Sequence, residues 1–173
     1  MDIEQKIKIR ITEQMALFLF EREINSSWVL WAVELIEAGY ESTALYILAG
    51  ESEPFNQFEM RALVKSVFVE IEFEQFESVE FAIISYTAIQ VCRFLDNQLT
   101  MDCFLKKVFE LCLEHDTPSA LFDFYTLYHA KNDLDKFGES SYWNEATSDN
   151  FEAVLRTNCT DWLGKYAEIF TDC

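Results

Sequence analysis

Residues 26–50 read SSWVLWAVELIEAGYESTALYILAG, and this stretch indicates the fold class. It contains two apolar runs, each preceded by serine and followed by glycine. Serine before such a run is typical of a helix N-cap, and glycine after it supplies the left-handed residue on which many helices end. We therefore predict two short helices, one capped by Ser26 or Ser27 and the other by Ser42, each ending at the following glycine.

Similar start and stop signals divide the rest of the chain. Asn56 stands three residues before Glu59 in a variant of the capping box, Thr100 precedes another apolar run, and Thr117-Pro118 combines an N-cap with a first-turn proline. Four glycines and two prolines in 173 residues are too few for the turns of a β-sandwich. We predict an all-α protein, a single compact domain over residues 1–173 with about seven to eight helices and no fixed-period repeat.

The composition is strongly acidic without being that of a disordered chain. Half of the residues are hydrophobic, and 31 acidic against 13 basic side chains give a formal charge of −18. This charge disfavours direct binding to nucleic acid or to an anionic membrane. It suits a basic protein partner, or a partner that itself binds nucleic acid. Solubility alone is the alternative explanation.

The start of the chain, MDIEQKIKIRITEQMALFLF, lacks the basic, apolar and small-residue layout of a signal peptide. No apolar run approaches the roughly 20 residues that span a bilayer. The five cysteines are odd in number and never in C-x-x-C spacing. We therefore expect reduced thiols, a cytoplasmic location and no membrane contact.

Residues 70–77 read EIEFEQFE and form the most concentrated row of acid. In a helix, the first, fifth and eighth of these residues share one face; in a strand, alternate glutamates do. The preceding residues are rich in β-branched and aromatic side chains, so a short extended segment near 67–74 is one interpretation. The other, which we favour, is a helix ending near Ile71 or Glu72, followed by an acidic connector.

The acid is concentrated in the middle of the chain. From Glu23 to Met60 there are seven acidic residues and no basic one. Like charges at helical spacing repel by a few tenths of a kcal/mol per pair, so the row does not stabilise the fold. Solvated faces, an anionic binding surface and a metal or catalytic site are the three interpretations. For the binding surface we predict these partner-binding residues: Glu70, Glu72, Glu74, Glu77 and Glu80, with Glu51 and Glu53 as outer members.

Sequence motifs for catalysis are missing. His115 and His129 belong to no metal signature, and the chain has no phosphate-binding glycine loop and no G-x-S-x-G motif. Pairs of carboxylates occur in any acidic protein and carry no specificity. We predict a non-enzymatic protein with no catalytic residue, no metal site and no cofactor.

The segment from residue 28 to 74 resembles a helical segment of small bacterial immunity proteins from contact-dependent growth-inhibition and related polymorphic toxin systems. The resemblance lies in two helix stops, a turn and a capping box. The residues that carry it are Gly39-Tyr40, Ser42, Leu45, Ile47-Leu48-Ala49-Gly50, Pro54, Asn56 and Phe58-Glu59.

The resemblance implies a small cytoplasmic protein that binds one toxin and neutralises it. Many such toxins are nucleases with basic clefts, which a dense carboxylate surface complements. We therefore expect an acidic immunity protein whose partner is a basic toxin domain, a nuclease, with its active-site cleft occluded. The alternative is a nucleic-acid-mimicking inhibitor or adaptor of a DNA- or RNA-binding protein. The sequence does not determine the oligomeric state.

Overall fold

The computed structural model describes residues 3–73 and 78–166, and this part of the chain is helical without any strand. The all-α prediction is therefore confirmed. Eight α-helices and one 3-10 turn are present in the described ranges. Their bounds are α1 Ile3–Leu19, α2 Ser26–Glu37, α3 Thr43–Gly50, α4 Gln57–Glu70, α5 Val79–Leu95, α6 Met101–Glu114, a 3-10 turn Ser119–Leu121, α7 Phe122–Phe137 and α8 Phe151–Tyr166.

Three predicted N-caps are confirmed by their hydrogen bonds. The side chains of Ser42, Asn56 and Thr100 each accept from an amide in the first turn of their own helix, at 2.9, 3.1 and 3.3 Å. Each bond satisfies one of the four amide groups that a helix leaves unpaired at its start. Local sequence therefore sets the starts of α3, α4 and α6.

Two other predicted caps are wrong. Helix α2 already includes Ser26 and Ser27, and its cap is Asn25, whose side chain accepts from the Ser27 amide at 2.9 Å. Thr117 has a left-handed backbone with φ of 50°, so it does not cap α7. The chain passes through the 3-10 turn before α7 begins at Phe122. At α2 the neighbouring Asn25 is the cap in place of a serine. At α7 the 3-10 turn lies between Thr117 and the start of the helix.

Helix α4 ends within the acidic row. Its last residue is Glu70, and the Ile71 amide still donates to the Val67 carbonyl at 3.0 Å. Glu72 then adopts a left-handed backbone with φ of 54° and leaves the helix. The helical interpretation is confirmed up to this point. Residues 74–77, the rest of the row, lie outside the described residues.

Contacts group the chain into two units, residues 1–82 and residues 83–173, with α5 crossing the division. The expectation of one domain over the whole chain stays a prediction. Each unit has its own aromatic core.

The core of the first unit joins its helices through large rings. Trp28 and Trp31 of α2 meet edge to face with centroids 5.9 Å apart. Phe68 of α4 lies 5.5 Å from Trp31 and 5.9 Å from Phe18 of α1. Helix α3 contributes the fully buried Leu45 to the same cluster. Burial of each such side chain stabilises the fold by about 1.5–3 kcal/mol. The packed helices in turn fix the positions of the acidic loops at their ends.

The core of the second unit is a continuous series of rings. Phe94 of α5 stacks on Phe104 of α6 at 5.0 Å, and Phe104 meets Phe124 of α7 edge to face at 5.5 Å. Phe124 lies 5.8 Å from Trp162 of α8. The Trp162 indole donates to the Ala120 carbonyl at 2.6 Å, so its polar edge is satisfied in the core.

In the first unit, the side chain of Arg61 binds to the C-terminal end of α1. Arg61 of α4 donates to the Phe18 carbonyl at 2.9 Å and to the Arg22 carbonyl at 3.3 Å. Its guanidinium carbon lies 4.8 Å from the centre of the Phe18 ring. The side chain thus adds a second hydrogen bond to the Phe18 carbonyl, which also accepts from the Glu21 amide at 3.1 Å, and it packs against the helix at the same time.

The second unit repeats this arrangement. Arg156 of α8 donates to the Leu95 carbonyl at the end of α5 at 3.2 Å and to the Asn97 side chain at 2.6 Å. Its guanidinium carbon lies 4.7 Å from the Phe94 ring, and its Nε donates to Glu152 at 3.0 Å. Both α1 and α5 are 17 residues long, with the contacted phenylalanine as the penultimate residue.

Further local features correspond between α1–α4 and α5–α8. The turns after α1 and α5 both contain a left-handed residue, Glu21 with φ of 56° and Asn97 with φ of 58°. The segments TALY, residues 43–46, and SALF, residues 119–122, share a buried alanine and leucine followed by an exposed aromatic residue. The spacing between corresponding positions is 76 residues from the two phenylalanines to the TALY and SALF segments, and 95 residues between Arg61 and Arg156. The change occurs because α7 and the loop after it are longer than α3 and its loop, so no single period covers the whole chain.

Candidate partner-binding surface

The predicted partner-binding glutamates fall into groups at different helix ends. Glu70, Glu72 and Glu80 are exposed, at the end of α4, in the turn after it and in the first turn of α5. Glu51 and Glu53 are exposed in the loop after α3. The other two predicted members, Glu74 and Glu77, lie outside the described residues.

The Glu70 carboxylate is bound to the start of α3. Its Oε2 accepts a hydrogen bond from the Ala44 amide at 3.0 Å. Ser42 donates its hydroxyl to the same carboxylate while accepting from the Leu45 amide. Two successive amides of α3 are therefore satisfied, one by the local cap and one by a carboxylate from α4. The positive end of the α3 dipole further favours this negative charge.

These contacts lower the pKa of Glu70 below its ordinary value. The largest cause is the hydrogen bond from the Ala44 amide, followed by the Ser42 hydroxyl; desolvation opposes them, and the Thr43 amide adds a smaller lowering. Each donor stabilises the charged form more than the neutral form. Glu70 is thus an exposed carboxylate with a role inside the fold.

The structure separates Glu51 from the Glu70 group along α3. Glu70 contacts the first turn of this helix, whereas Glu51 is the residue at which the helix ends. Eight helical residues at 1.5 Å each place the two ends about 12 Å apart. The predicted set is therefore a broad surface with α3 between its parts, which suits contact with a protein better than binding of a single ion.

Sequence reasoning omitted Glu41, which the fold places beside this group. Glu41 directly precedes the α3 cap Ser42, which in turn contacts Glu70. Glu41 is included in the count of acidic residues from Glu23 to Met60, but it is not part of the EIEFEQFE row of residues 70–77. All seven carboxylates of that count belong to exposed residues: Glu23, Glu34, Glu37, Glu41, Glu51, Glu53 and Glu59. Among the described residues, Glu34 has a cationic partner, Arg10, at 3.1 Å.

Two of these carboxylates stand where helix dipoles are unfavourable to them. Glu37 is the last residue of α2 and Glu51 directly follows α3. The last turns of these two helices contain no basic residue. A carboxylate at the negative end of a helix is destabilising by about 0.3–1 kcal/mol at low salt. The acids at these two helix ends therefore cost stability rather than supply it.

The buried cysteines have no nucleophilic character at neutral pH. Burial raises the pKa of Cys112 to about 11 and that of Cys159 to about 12. The thiolate is the reactive form, so both side chains behave as small apolar groups of the core. His129 lies among aromatic rings, with the Tyr142 ring stacked on it at 5.2 Å.

Within residues 3–73 and 78–166, no group of three or more His, Cys, Asp or Glu side chains is arranged to hold a metal ion. None of the helices in the same ranges has the length and apolar character needed to cross a bilayer. The described surface features are therefore charge and exposed apolar side chains.

Comparison with known proteins returns no match: no protein-family model fits the chain, and neither a curated protein nor a solved structure is significantly similar to it. The fold and the surface together describe an all-α protein with an acidic surface around α3. The resemblance to immunity proteins stays an expectation from the sequence.

Proposed function

We propose that this chain is an acidic immunity protein that binds a basic toxin domain, a nuclease, and neutralises it by occluding its active-site cleft. In this proposal the protein acts in the cytoplasm by binding alone, without catalysis or a cofactor. The surface that meets the toxin is formed by the carboxylates around α3.

The observation that carries the proposal is the placement of acid against the needs of the fold. Seven exposed glutamates occur between residues 23 and 60 without any lysine or arginine. Glu37 and Glu51 lie at helix C-termini, where they reduce stability. Acidic residues that destabilise the folded protein are explained if they bind an external partner of opposite charge.

A nuclease is the class of partner that this charge fits best. Enzymes that bind polyanionic substrates present basic clefts, and an inhibitor with dense carboxylates associates with such a cleft rapidly. The separation of about 12 Å between the two ends of α3 allows contacts with several cations along one cleft. Occlusion of the toxin's active-site cleft then follows from the size of this protein once it is bound there.

The test begins with capture of a basic polypeptide from the organism that encodes the chain, and measures its nuclease activity with and without this protein. We expect stoichiometric inhibition. The variant Glu51→Gln/Glu53→Gln/Glu72→Gln should associate roughly tenfold more slowly at low salt, with the difference shrinking as salt screens the charges. Glu70 is left unchanged because it caps α3.

The matched control neutralises three exposed acids of the second unit, Glu145→Gln/Asp149→Asn/Asp161→Asn, and changes the net charge equally. It should retain most of the association rate, because these residues belong to the second unit and not to the proposed surface. Equal rates for all three proteins, with the same response to salt, would place the interface elsewhere. A captured partner without toxic activity would refute the immunity function itself.

A further inference from the structure

The second unit has an exposed cluster of aromatic rings that its core does not use. We define the aromatic face by Phe109 of α6, by Phe122, Tyr125, Tyr128 and His129 of α7, and by Tyr142 in the loop after α7. Phe122 is 55% exposed and Tyr142 is 49% exposed. The other four members are half-buried.

Ring contacts hold this face together. Phe109 stacks on Tyr128 with centroids 3.8 Å apart and on Tyr125 at 5.6 Å. His129 lies edge-on to Tyr125 at 4.7 Å, and Tyr142 stacks on His129 at 5.2 Å. These contacts restrict the rings before any partner arrives. An ordered aromatic surface loses little conformational entropy on binding, which is why such rings dominate the energetics of protein interfaces.

Carboxylates are neighbours of the rings along the chain. Glu110 and Asp123 are exposed and directly follow Phe109 and Phe122 in sequence. Loop residues on both sides of Tyr142 in sequence help to line an open cleft of about 420 Å³, and no cationic side chain is among the lining residues. The cleft is lined by Asp133, Phe137, Glu139, Ser140, Ser141 and Asn144. The Ser140 hydroxyl donates to Asp133 at 3.4 Å and holds the loop beside the helix.

The four lysines of α6 and α7, which include Lys107 and Lys136, do not reverse this charge, because the same helices carry six carboxylates. Lys106 pairs with Glu110 at 3.9 Å, and Lys131 pairs with both Asp102 and Asp135. A second copy of the chain, with the same charge of −18, would be repelled from this face. The rings and the carboxylates together match the chemistry of arginine, whose planar guanidinium stacks on aromatic rings and pairs with carboxylates.

We infer that the aromatic face is a docking surface for an arginine-rich segment of a partner protein. Guanidinium groups stack on Phe122 and Tyr142, and neighbouring cations pair with Asp123 and with the cleft carboxylates Asp133 and Glu139. This inference concerns residues of the second unit alone. It does not require the partner to be a toxin, nor the carboxylates around α3 to take part.

The test compares a hexa-arginine peptide with a hexa-lysine peptide as probes, by calorimetric titration at about 0.15 M salt. The two peptides carry equal charge, so charge alone binds them equally. Stacking favours arginine, and we expect the wild type to bind hexa-arginine roughly fivefold more tightly. Tyr142→Ala and Phe122→Ala should each reduce this preference to less than twofold.

Three controls separate the possible causes. Tyr142→Phe keeps the ring and should keep the preference, which shows that the ring and not the hydroxyl supplies it; unchanged binding of hexa-lysine by Tyr142→Ala shows that this variant is folded. Phe58→Ala removes a ring of α4 that is 84% exposed and should have no effect. The triple glutamine variant around α3 should leave the ratio of the two peptide affinities unchanged.

A wild type without preference for arginine would overturn the inference, as would a preference that persists in both Tyr142→Ala and Phe122→Ala. Either result leaves the proposed immunity function untouched. Conversely, failure of the nuclease inhibition assay does not alter the expected ratio of the two peptides.

Discussion

The Glu70 carboxylate, on the last residue of α4, accepts a hydrogen bond from the Ala44 amide in the first turn of α3 at 3.0 Å. The two residues are 26 positions apart, so this cap is supplied by tertiary structure. It gives one acid of the predicted binding row a definite structural role. The neighbouring Glu72 and Glu51 have no comparable contact among the described residues, which separates acids that support the fold from acids available to a partner.

Glu70→Ala should lower the midpoint of urea unfolding, because the Ala44 amide and the Ser42 hydroxyl lose their acceptor. Glu72→Ala is the matched control, since it removes an exposed carboxylate two positions away with the same change of charge. Its midpoint should stay close to that of the wild type. Equal shifts in the two variants would show that Glu70 acts through charge alone.

The stability supplied by Glu70 should depend on pH. Its folded pKa is lowered, so the charged form is stabilised in the native state; the contribution is fully present above the ordinary value of 4.5 and is lost as pH falls through the lower folded value. Urea midpoints of the wild type and Glu70→Gln, measured from pH 7 to pH 3, should therefore converge at the acidic end. A difference that persists unchanged at pH 3 would contradict this assignment.

Glu37→Lys should stabilise the protein while weakening its binding to a basic partner. Glu37 ends α2, and a lysine there would interact favourably with the helix dipole, raising the free energy of unfolding by about 1 kcal/mol at low salt. Glu23→Lys makes the same change of charge outside the helices and should not stabilise. Urea unfolding measures the first effect and stopped-flow association the second. A variant that is both more stable and equally fast in binding would argue against a role for this acid in binding.

Arg61→Lys and Arg156→Lys should each destabilise the fold by about 1–2 kcal/mol, because the planar guanidinium reaches two separate acceptors while it stacks on phenylalanine, whereas the lysine ammonium is a compact point charge. Thermal unfolding of each variant measures the loss. Lys165→Arg is a control on the same helix as Arg156, at an exposed position, and should have little effect. If both substitutions behave like the control, the arginines are surface side chains without a capping role.

The helical architecture follows from the sequence because helix caps are local. Ser42, Asn56 and Thr100 bond to amides two or three residues away, so the necessary information lies in a few adjacent residues. The same locality explains the two errors. Asn25 stands next to two serines that could also cap, and Thr117 is held in a left-handed backbone that its own sequence does not require.

The excess of acid between residues 23 and 60 could also be read from the sequence, since exposure of glutamates on short amphipathic helices is the rule. Its division into groups could not. The separation of Glu51 from Glu70 by the length of α3 depends on how α4 returns to α3, which no local signal encodes. The aromatic face likewise requires α6, α7 and the following loop to bring Phe109, His129 and Tyr142 together.

What the sequence by itself determined is the helical class, most helix starts and the sign of the surface charge, because these depend on interactions within a turn or on composition. What only the tertiary structure decided is the use made of particular side chains. Glu70 caps a helix 26 residues away, and Arg61 and Arg156 close helix ends 43 and 61 residues away. The physical reason is that these hydrogen bonds join groups which only the packing of the aromatic cores brings within reach.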